Sequence, residues 1–465
     1  MHRLTLVTCS ALIAGSAIAF ADDPQPVTQD ELRALAQRVQ DLEARVPPPQ
    51  LAPPAPPPAL DVAQPTFGEF DFSWMNGNNP QPDSLLKTGP VTFSVYVDTY
   101  YSWQFHEPID HTVFPTTTAP RHNEISLNLA HLGVDVTGLD GPIGRLYIQF
   151  GSTVETIAGQ DTTTTRGFFL TNRLLQNVEQ AAAGWHFHRL HGINAELGIF
   201  PSYVGLESYL PEENWAYSHA FMSDFTPYYF FGFRGQLFLT RRFKLELWLV
   251  NGWQTFGEWH ESRAGGYLWN WRPRAWISLV NSFYAGREAQ GDPDSLRLYS
   301  DNNLQLRYFN HPDSCVLRSL AVSLVADLGH EHRGNAPSGW MGGASLAHHF
   351  EWTARWKTGI RFDTYYDQTQ AISAKFPVGS PYTWPGKGHL VVGGASITMD
   401  YWPSPWLLTR LEYSHRAANQ PYFSGHGGIT GPDGLPPVDA AAQAGFTPDL
   451  VRQDDRLTFN LTLRL

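Results

Sequence analysis

The residues that could do chemistry form one regular series and a few scattered candidates. The series consists of charged side chains recurring on the polar parity of alternating segments. The bases are Arg145, Arg234, Lys244, Arg272, Arg297, Arg307, Arg355, Lys357, Arg361, Arg410, Arg416, Arg456 and Arg464. The acids are Asp98, Asp135, Glu196, Glu246, Asp301, Asp363 and Glu412. Charges lining a water-filled passage set its ion selectivity, and a low-dielectric wall focuses their field. Bases outnumber acids in this series, so such a passage is expected to prefer anions weakly. The competing expectation is that the arginines pair with the acids and brace the wall.

The scattered candidates are weaker. His330-Glu331-His332 has the residue types of a metal ligand pair, but two His at i and i+2 of a loop do not define a site. Ser424-Gly425-His426 and Asp110-His111 supply hydroxyl, imidazole and carboxylate. Nothing in their spacing fixes a nucleophile, a base and an orienting group together. No Gly-rich phosphate loop follows a strand and opens a helix. The expectation is therefore no enzyme, no cofactor and no metal.

The elements that position the charges are strands. In Asp454–Leu465, Leu457, Phe459, Leu461, Leu463 and Leu465 share one parity, and Arg456, Thr458, Asn460, Thr462 and Arg464 the other. Strand side chains alternate between faces, so one face is apolar and the other wet. Val91–Phe105 repeats the pattern. Further strands are expected near 124–137, 144–154, 178–189, 193–200, 228–239, 243–253, 265–272, 275–284, 296–308, 316–326, 341–350, 352–365, 389–401 and 406–416. Long and short connections alternate between them without exception. Together these features predict an all-β fold, a transmembrane antiparallel β-barrel of about 16 strands (14–18), in which 91–465 form the barrel. A soluble sandwich has no reason to keep that alternation.

Composition agrees. Aromatics make up 14% of the 465 residues, as interfacial girdles would require. Residues 1–21 read as a signal peptide, with Arg3, an apolar core and Ala19-Phe20-Ala21. Its removal takes away Cys9 and leaves Cys315, so no intramolecular disulfide is expected. Residues 22–46 hold a short coiled-coil-like helix, opened by the capping box Thr28–Glu31 and carrying Leu32, Leu35, Val39, Leu42 and Val46 at heptad spacing. That seam favours a homotrimer. Residues 47–66 are a stiff Pro-rich spacer, and 67–90 a lead-in or plug segment. The net charge of −12 argues against a nucleic-acid partner.

Several stretches resemble the OmpL-like, or type-two, beta-barrel porins of bacterial outer membranes. They include Phe72-Ser73-Trp74-Met75-Asn76-Gly77-Asn78-Asn79, Glu213-Asn214-Trp215-Ala216-Tyr217, Val250-Asn251-Gly252-Trp253-Gln254, and Pro421-Tyr422-Phe423-Ser424-Gly425. The similarity spans residues 67–465. It implies an outer-membrane location in a Gram-negative bacterium; the Pro-rich spacer is expected to hold the N-terminal helix on the periplasmic side. The expected role is passive diffusion of small hydrophilic solutes or ions. The implied partners are outer-membrane lipid and the barrel-assembly machinery. A terminal aromatic that this machinery reads is replaced here by Leu465. Either long loop, Pro201–Pro227 or Ala417–Asp455, could fold into the pore as a constriction. The alternative is a plugged surface barrel whose loops bind a partner or carbohydrate through Trp215, Trp259, Trp340 and Trp384. A lipid hydrolase using Ser424 is the third reading.

Overall fold

The computed structural model describes residues 66–80, 84–137, 141–158, 161, 175–258, 262–289, 291–373, 388–430 and 447–465, with Asp30, Arg33, Ala34, Gln37 and Arg38. Those five lie in helix; the rest of the expected coiled coil, the signal peptide and the Pro-rich spacer fall outside the described residues. The chain divides into Met1–Ala63 and Gln64–Leu465. The second unit carries the barrel.

Sixteen strands build it: β1 (Val91–Gln104), β2 (Ile125–Val136), β3 (Pro142–Phe150), β4 (Val178–Phe187), β5 (Ile193–Pro201), β6 (Tyr229–Thr240), β7 (Phe243–Val250) and β8 (Ala264–Arg274), then β9 (Ile277–Gly286), β10 (Leu296–Asn310), β11 (Ser319–His332), β12 (Gly339–Glu351), β13 (Trp356–Asp367), β14 (Leu390–Ser404), β15 (Leu407–Ala418) and β16 (Gln453–Arg464). Each pairs antiparallel with its sequence neighbour. The ring closes where β16 pairs with β1, from Arg456↔Gln104 to Arg464↔Tyr96. Closure removes both sheet edges, so every strand meets a partner on each side.

Burial is inverted relative to a soluble protein. On β16, Leu457, Phe459 and Leu461 are 41–49% exposed, whereas Asp454, Arg456, Thr458, Asn460 and Thr462 are buried. The apolar parity faces outward, where lipid would cover it, and the polar parity faces in. Trp185, Trp271, Trp276, Tyr308, Trp352 and Trp356 stand exposed near the short-turn rim, and Trp340, Tyr366 and Tyr413 near the other. One polar patch interrupts the outer face at mid-height. There Asn281 Nδ2 donates to Asn302 Oδ1 (2.9 Å) and Ser300 Oγ (3.1 Å), and Asn302 Nδ2 to the Ala326 carbonyl (3.1 Å). Mutual pairing lowers the cost of placing these amide donors in hydrocarbon.

Three expectations change. Strand β11 runs six residues beyond its expected end, so His330-Glu331-His332 is strand, not loop. Glu331 is buried inside, and His332 is exposed. Strand β13 begins at Trp356, which leaves Arg355 exposed in a turn rather than on the wall. The length alternation also has an exception, because the turn 311–318 is longer than the loop 333–338 once β11 and β12 extend past the membrane band.

The outward face makes a direct prediction. Phe459→Arg would place a guanidinium near mid-height in lipid and cost about 2–4 kcal/mol. Urea unfolding of the barrel in lipid vesicles would read this, and an unchanged midpoint would contradict the assignment of faces.

Candidate functional site in the barrel lumen

Chain enters the lumen from both ends, from a loop between strands and from the segment that precedes β1. The principal insertion is residues 202–228, between β5 and β6. It contains a 3₁₀ turn, Pro211–Glu213, and a short helix, Phe221–Phe225. A loop inside a barrel loses water on its backbone amides and carbonyls, so the wall must replace that water. It does so with charged side chains. Glu412 accepts the amides of Tyr217 (2.6 Å) and Ser218 (3.1 Å). Asp363 accepts the amide of Phe221 (3.0 Å), and Asp301 that of Gly205 (2.9 Å). Arg410 donates to the carbonyls of Pro211 (2.9 Å) and Asn214 (2.8 Å), and Arg361 to those of Ser218 and His219. Gly359 makes room on β13, since a Cβ there would stand 2.0 Å from the Trp215 carbonyl oxygen.

The segment 66–80 enters at the short-turn end. Asn76 exchanges two hydrogen bonds with Gln305 (2.8 and 3.1 Å), and its Oδ1 accepts the amide of Trp215 (2.8 Å). Gly77 has φ +70° and would carry a Cβ 2.0 Å from the Leu206 carbonyl oxygen, so the contact between the two insertions requires glycine. At the opposite end the loop 105–124 closes over residues 202–228. Thr117 Oγ1 meets Tyr228 Oη (2.6 Å) and Asp224 Oδ1 (2.5 Å), and Thr118 Oγ1 meets His219 Nδ1 (2.9 Å).

The inward bases are mostly paired. Arg145 and Arg234 share Glu196 (3.0 and 2.6 Å), and Lys244 binds Glu246 (2.7 Å). Arg297 binds Glu331 (2.5 Å), Arg361 binds Glu207 and Asp363 (both 3.2 Å), and Arg410 binds Asp400 (2.6 Å). Arg416 and Arg456 converge on Asp454 (2.5 and 3.2 Å), and Arg464 spans Glu213 (2.6 Å) and Glu212 (3.5 Å). Arg307 reaches Asp71 at 3.7 Å. Arg272 lies between the rings of Phe67 and Phe72, and Lys357 lies over Trp402. Asp98 is held by neutral donors instead, namely Tyr217, Asn128, Asn460 and Thr462. The expected excess of base does not survive. Glu179, Asp327, Glu331, Asp367, Asp400 and Asp454 are also buried on strands, and Glu207, Glu212, Glu213 and Asp224 arrive on the insertion.

Of the two candidate constrictions, 202–228 is the insertion that meets the wall this way; much of 419–452 lies outside the described residues. Ser424 is buried, and its hydroxyl accepts from Gln104 Nε2 (3.2 Å) and the Phe114 amide (3.2 Å), which removes the basis for a Ser424 hydrolase. Asp110 caps Ile429 and Thr430. Trp215 is buried and stacks on His349 at 5.0 Å, so it offers no sugar platform. Trp340 is exposed on the outer wall of β12, and Trp259 and Trp384 fall outside the described residues.

A cavity of about 390 Å³ remains between 202–228 and the wall of β1–β4. Ser94, His131, Tyr147, Glu179 and Gln180 line it from the wall, and Glu207, Ser208, Tyr209, Glu213 and Tyr228 from the insertion, with Arg464 beside them. Ser94 Oγ meets His131 Nε2 at 3.0 Å, and His131 Nδ1 meets Glu179 Oε2 at 2.8 Å. Alternation alone does not reveal this chain, because its members come from three strands.

A closed barrel with an aqueous-type lining and an inserted loop is porin architecture, and the sequence comparison decides the family. The profile of the family described as beta-barrel porin-2, OmpL-like, matches residues 90–451. The chain belongs to this porin family. No curated protein matches it. Among solved structures it is similar to an anion-selective porin from Comamonas acidovorans, at 9% identity and TM-score 0.50 over 81% of this chain and 99% of that one. It is also similar to the outer membrane channel DcaP of Acinetobacter baumannii, at 10% identity and TM-score 0.48 over 81% and 97%. OmpT, an outer membrane protein of Vibrio cholerae, matches at 8% identity and TM-score 0.47 over 82% and 100%. At these identities the likeness concerns fold alone.

Two predictions concern how this porin holds its insertion. Arg410→Met would leave Asp400 buried without its cation and release two loop carbonyls, costing roughly 3–5 kcal/mol. Hydrogen exchange should rise at residues 211–218, and unchanged exchange would refute the anchoring role. Glu212 is buried, its Oε2 has no partner, and burial pushes its carboxyl up to about 7 despite Arg464 nearby. A carboxyl raised on folding stabilises below its unfolded value and loses that contribution as pH climbs through about 7. Stability should therefore fall between about pH 4.5 and 7, and Glu212→Gln should flatten that slope. An identical slope in the variant would refute the role.

Proposed function

We propose that this porin is an outer-membrane channel for passive diffusion of small hydrophilic solutes, narrowed by residues 202–228. The observation that carries the reading is the polar cavity of about 390 Å³ beside that insertion, inside a sixteen-stranded barrel with an apolar exterior. No chemical step is needed for this role. The wall arginines act as anchors for inserted backbone, and together with Asp98, Glu196, Glu246, Asp363 and Glu412 they shape the passage. The weak anion preference expected from the inward bases loses its support, since those bases are largely matched by carboxylates. The placement proposed here is a Gram-negative outer membrane with the short turns on the periplasmic side, assembled by the barrel machinery, and with a homotrimer as the working oligomer.

A second reading is favoured by the lead-in segment. Residues 66–80 bind Gln305, Trp215 and the 241 carbonyl, and so close part of the short-turn end. This supports a plugged barrel whose outer loops bind a partner.

Single-channel recording separates the two. Purified, refolded protein in a planar bilayer should give discrete conductance steps, and deletion of 66–80 should enlarge them. Protein shown to be folded that gives no steps, but opens on that deletion, would favour the plugged barrel.

A further inference from the structure

The described cavity has one lining carboxylate without a cationic partner. Glu207 is ion-paired with Arg361, and Glu213 with Arg464. Among the described residues no Arg or Lys pairs with Glu179. Its partners are the His131 imidazole (2.8 Å) and the Gln180 amide (3.4 Å). The imidazole is fixed in turn. Ser94 holds its far nitrogen, Tyr96 packs on its face at 5.2 Å, and Tyr147 meets it edge-on at 5.2 Å. With Nδ1–H given to the carboxylate, Nε2 accepts from the serine hydroxyl. This chain orients the Glu179 carboxylate, and with the imidazole in that neutral form it adds no charge to the pair. Tyr147, Tyr209 and Tyr228 line the same space, and phenol rings attract cations at their faces.

We infer that Glu179 is the charge-selecting residue of the passage, and that the passage prefers cations, including small organic ammonium ions. The inference rests on the channel reading above. A fixed carboxylate in a narrow, low-dielectric lumen raises the local concentration of cations and excludes anions. Arg464, the base beside this cavity, does not offset it, because Glu213 and Glu212 hold it. His131 is a positioning residue, acting only through the carboxylate it holds.

The test is the reversal potential of the full-length mature chain in a planar bilayer under a KCl gradient. The wild type should reverse on the cation side. Glu179→Gln keeps an acceptor for His131 and should lower the potassium-to-chloride permeability ratio by roughly twofold or more. Gln180→Glu adds a carboxylate beside it and should raise the ratio. Glu107→Gln, an exposed residue of the first long loop, should leave it unchanged. Far-ultraviolet circular dichroism would confirm that each variant is a folded barrel. Steps with no cation preference, or a ratio indifferent to both cavity variants, would overturn the inference while leaving the channel intact. No steps from folded wild type would overturn the channel reading and the inference with it.

Discussion

A backbone amide or carbonyl in hydrocarbon finds no water, and that constraint organises the whole molecule. It forces the strands into a closed ladder, from Arg456↔Gln104 round to the same pair. Closure in turn fixes which face is wet. Once the greasy parity points outward, charge accumulates in the lumen, and a sixteen-stranded barrel is too wide for side chains alone to fill. Here chain enters the space that is left, and entering chain brings its own unpaired backbone groups. The same requirement then recurs inside. Glu412, Asp363, Arg361 and Arg410 give residues 202–228 the hydrogen bonds that water would otherwise supply.

This explains why so many inward charges come as pairs with a third contact. A buried ion pair gains little over apolar packing when it stands by itself. Arg410 is not in that position. It binds Asp400 through two nitrogens and still reaches two loop carbonyls. Arg416 likewise joins Asp454 to the Pro115 carbonyl (2.6 Å). Planar guanidinium can serve a carboxylate and a carbonyl at once, which an ammonium does less well. The prevalence of arginine over lysine on the wall follows from that geometry, without reference to solute charge.

The barrel itself was legible because a two-residue period repeats across hundreds of residues and survives local irregularity. Strand number and inward parity followed. Boundaries failed where polar residues continue a strand beyond the lipid band, as at Asp327–His332, since alternation no longer distinguishes strand from loop there. Charge balance failed for a different reason. Parity was read most securely on the most regular strands, and it passed over Glu179 near the β4 end, Asp400 on β14 and Asp454 at the start of β16. Those three face arginine or cavity only once the ring is closed. The pairing of Arg416 with Asp454, 38 positions away, is a cross-strand neighbour relation on β15 and β16. No local spacing contains it.

The same reasoning separates what anchors from what selects. A charge that is spent on a partner contributes little field to a passing ion, however conspicuous it is in the sequence. Arg361 faces the lumen but is enclosed by Glu207, Asp363, and the carbonyls of Ser218 and His219. Glu179 is less conspicuous, at the start of a strand dominated by alanine, yet it is held by a serine–histidine chain and, among the described residues, by no guanidinium. In a filled barrel a passing ion meets the field of groups whose charge is unmatched beside open space, and here a polar cavity of about 390 Å³ lies against β1–β4.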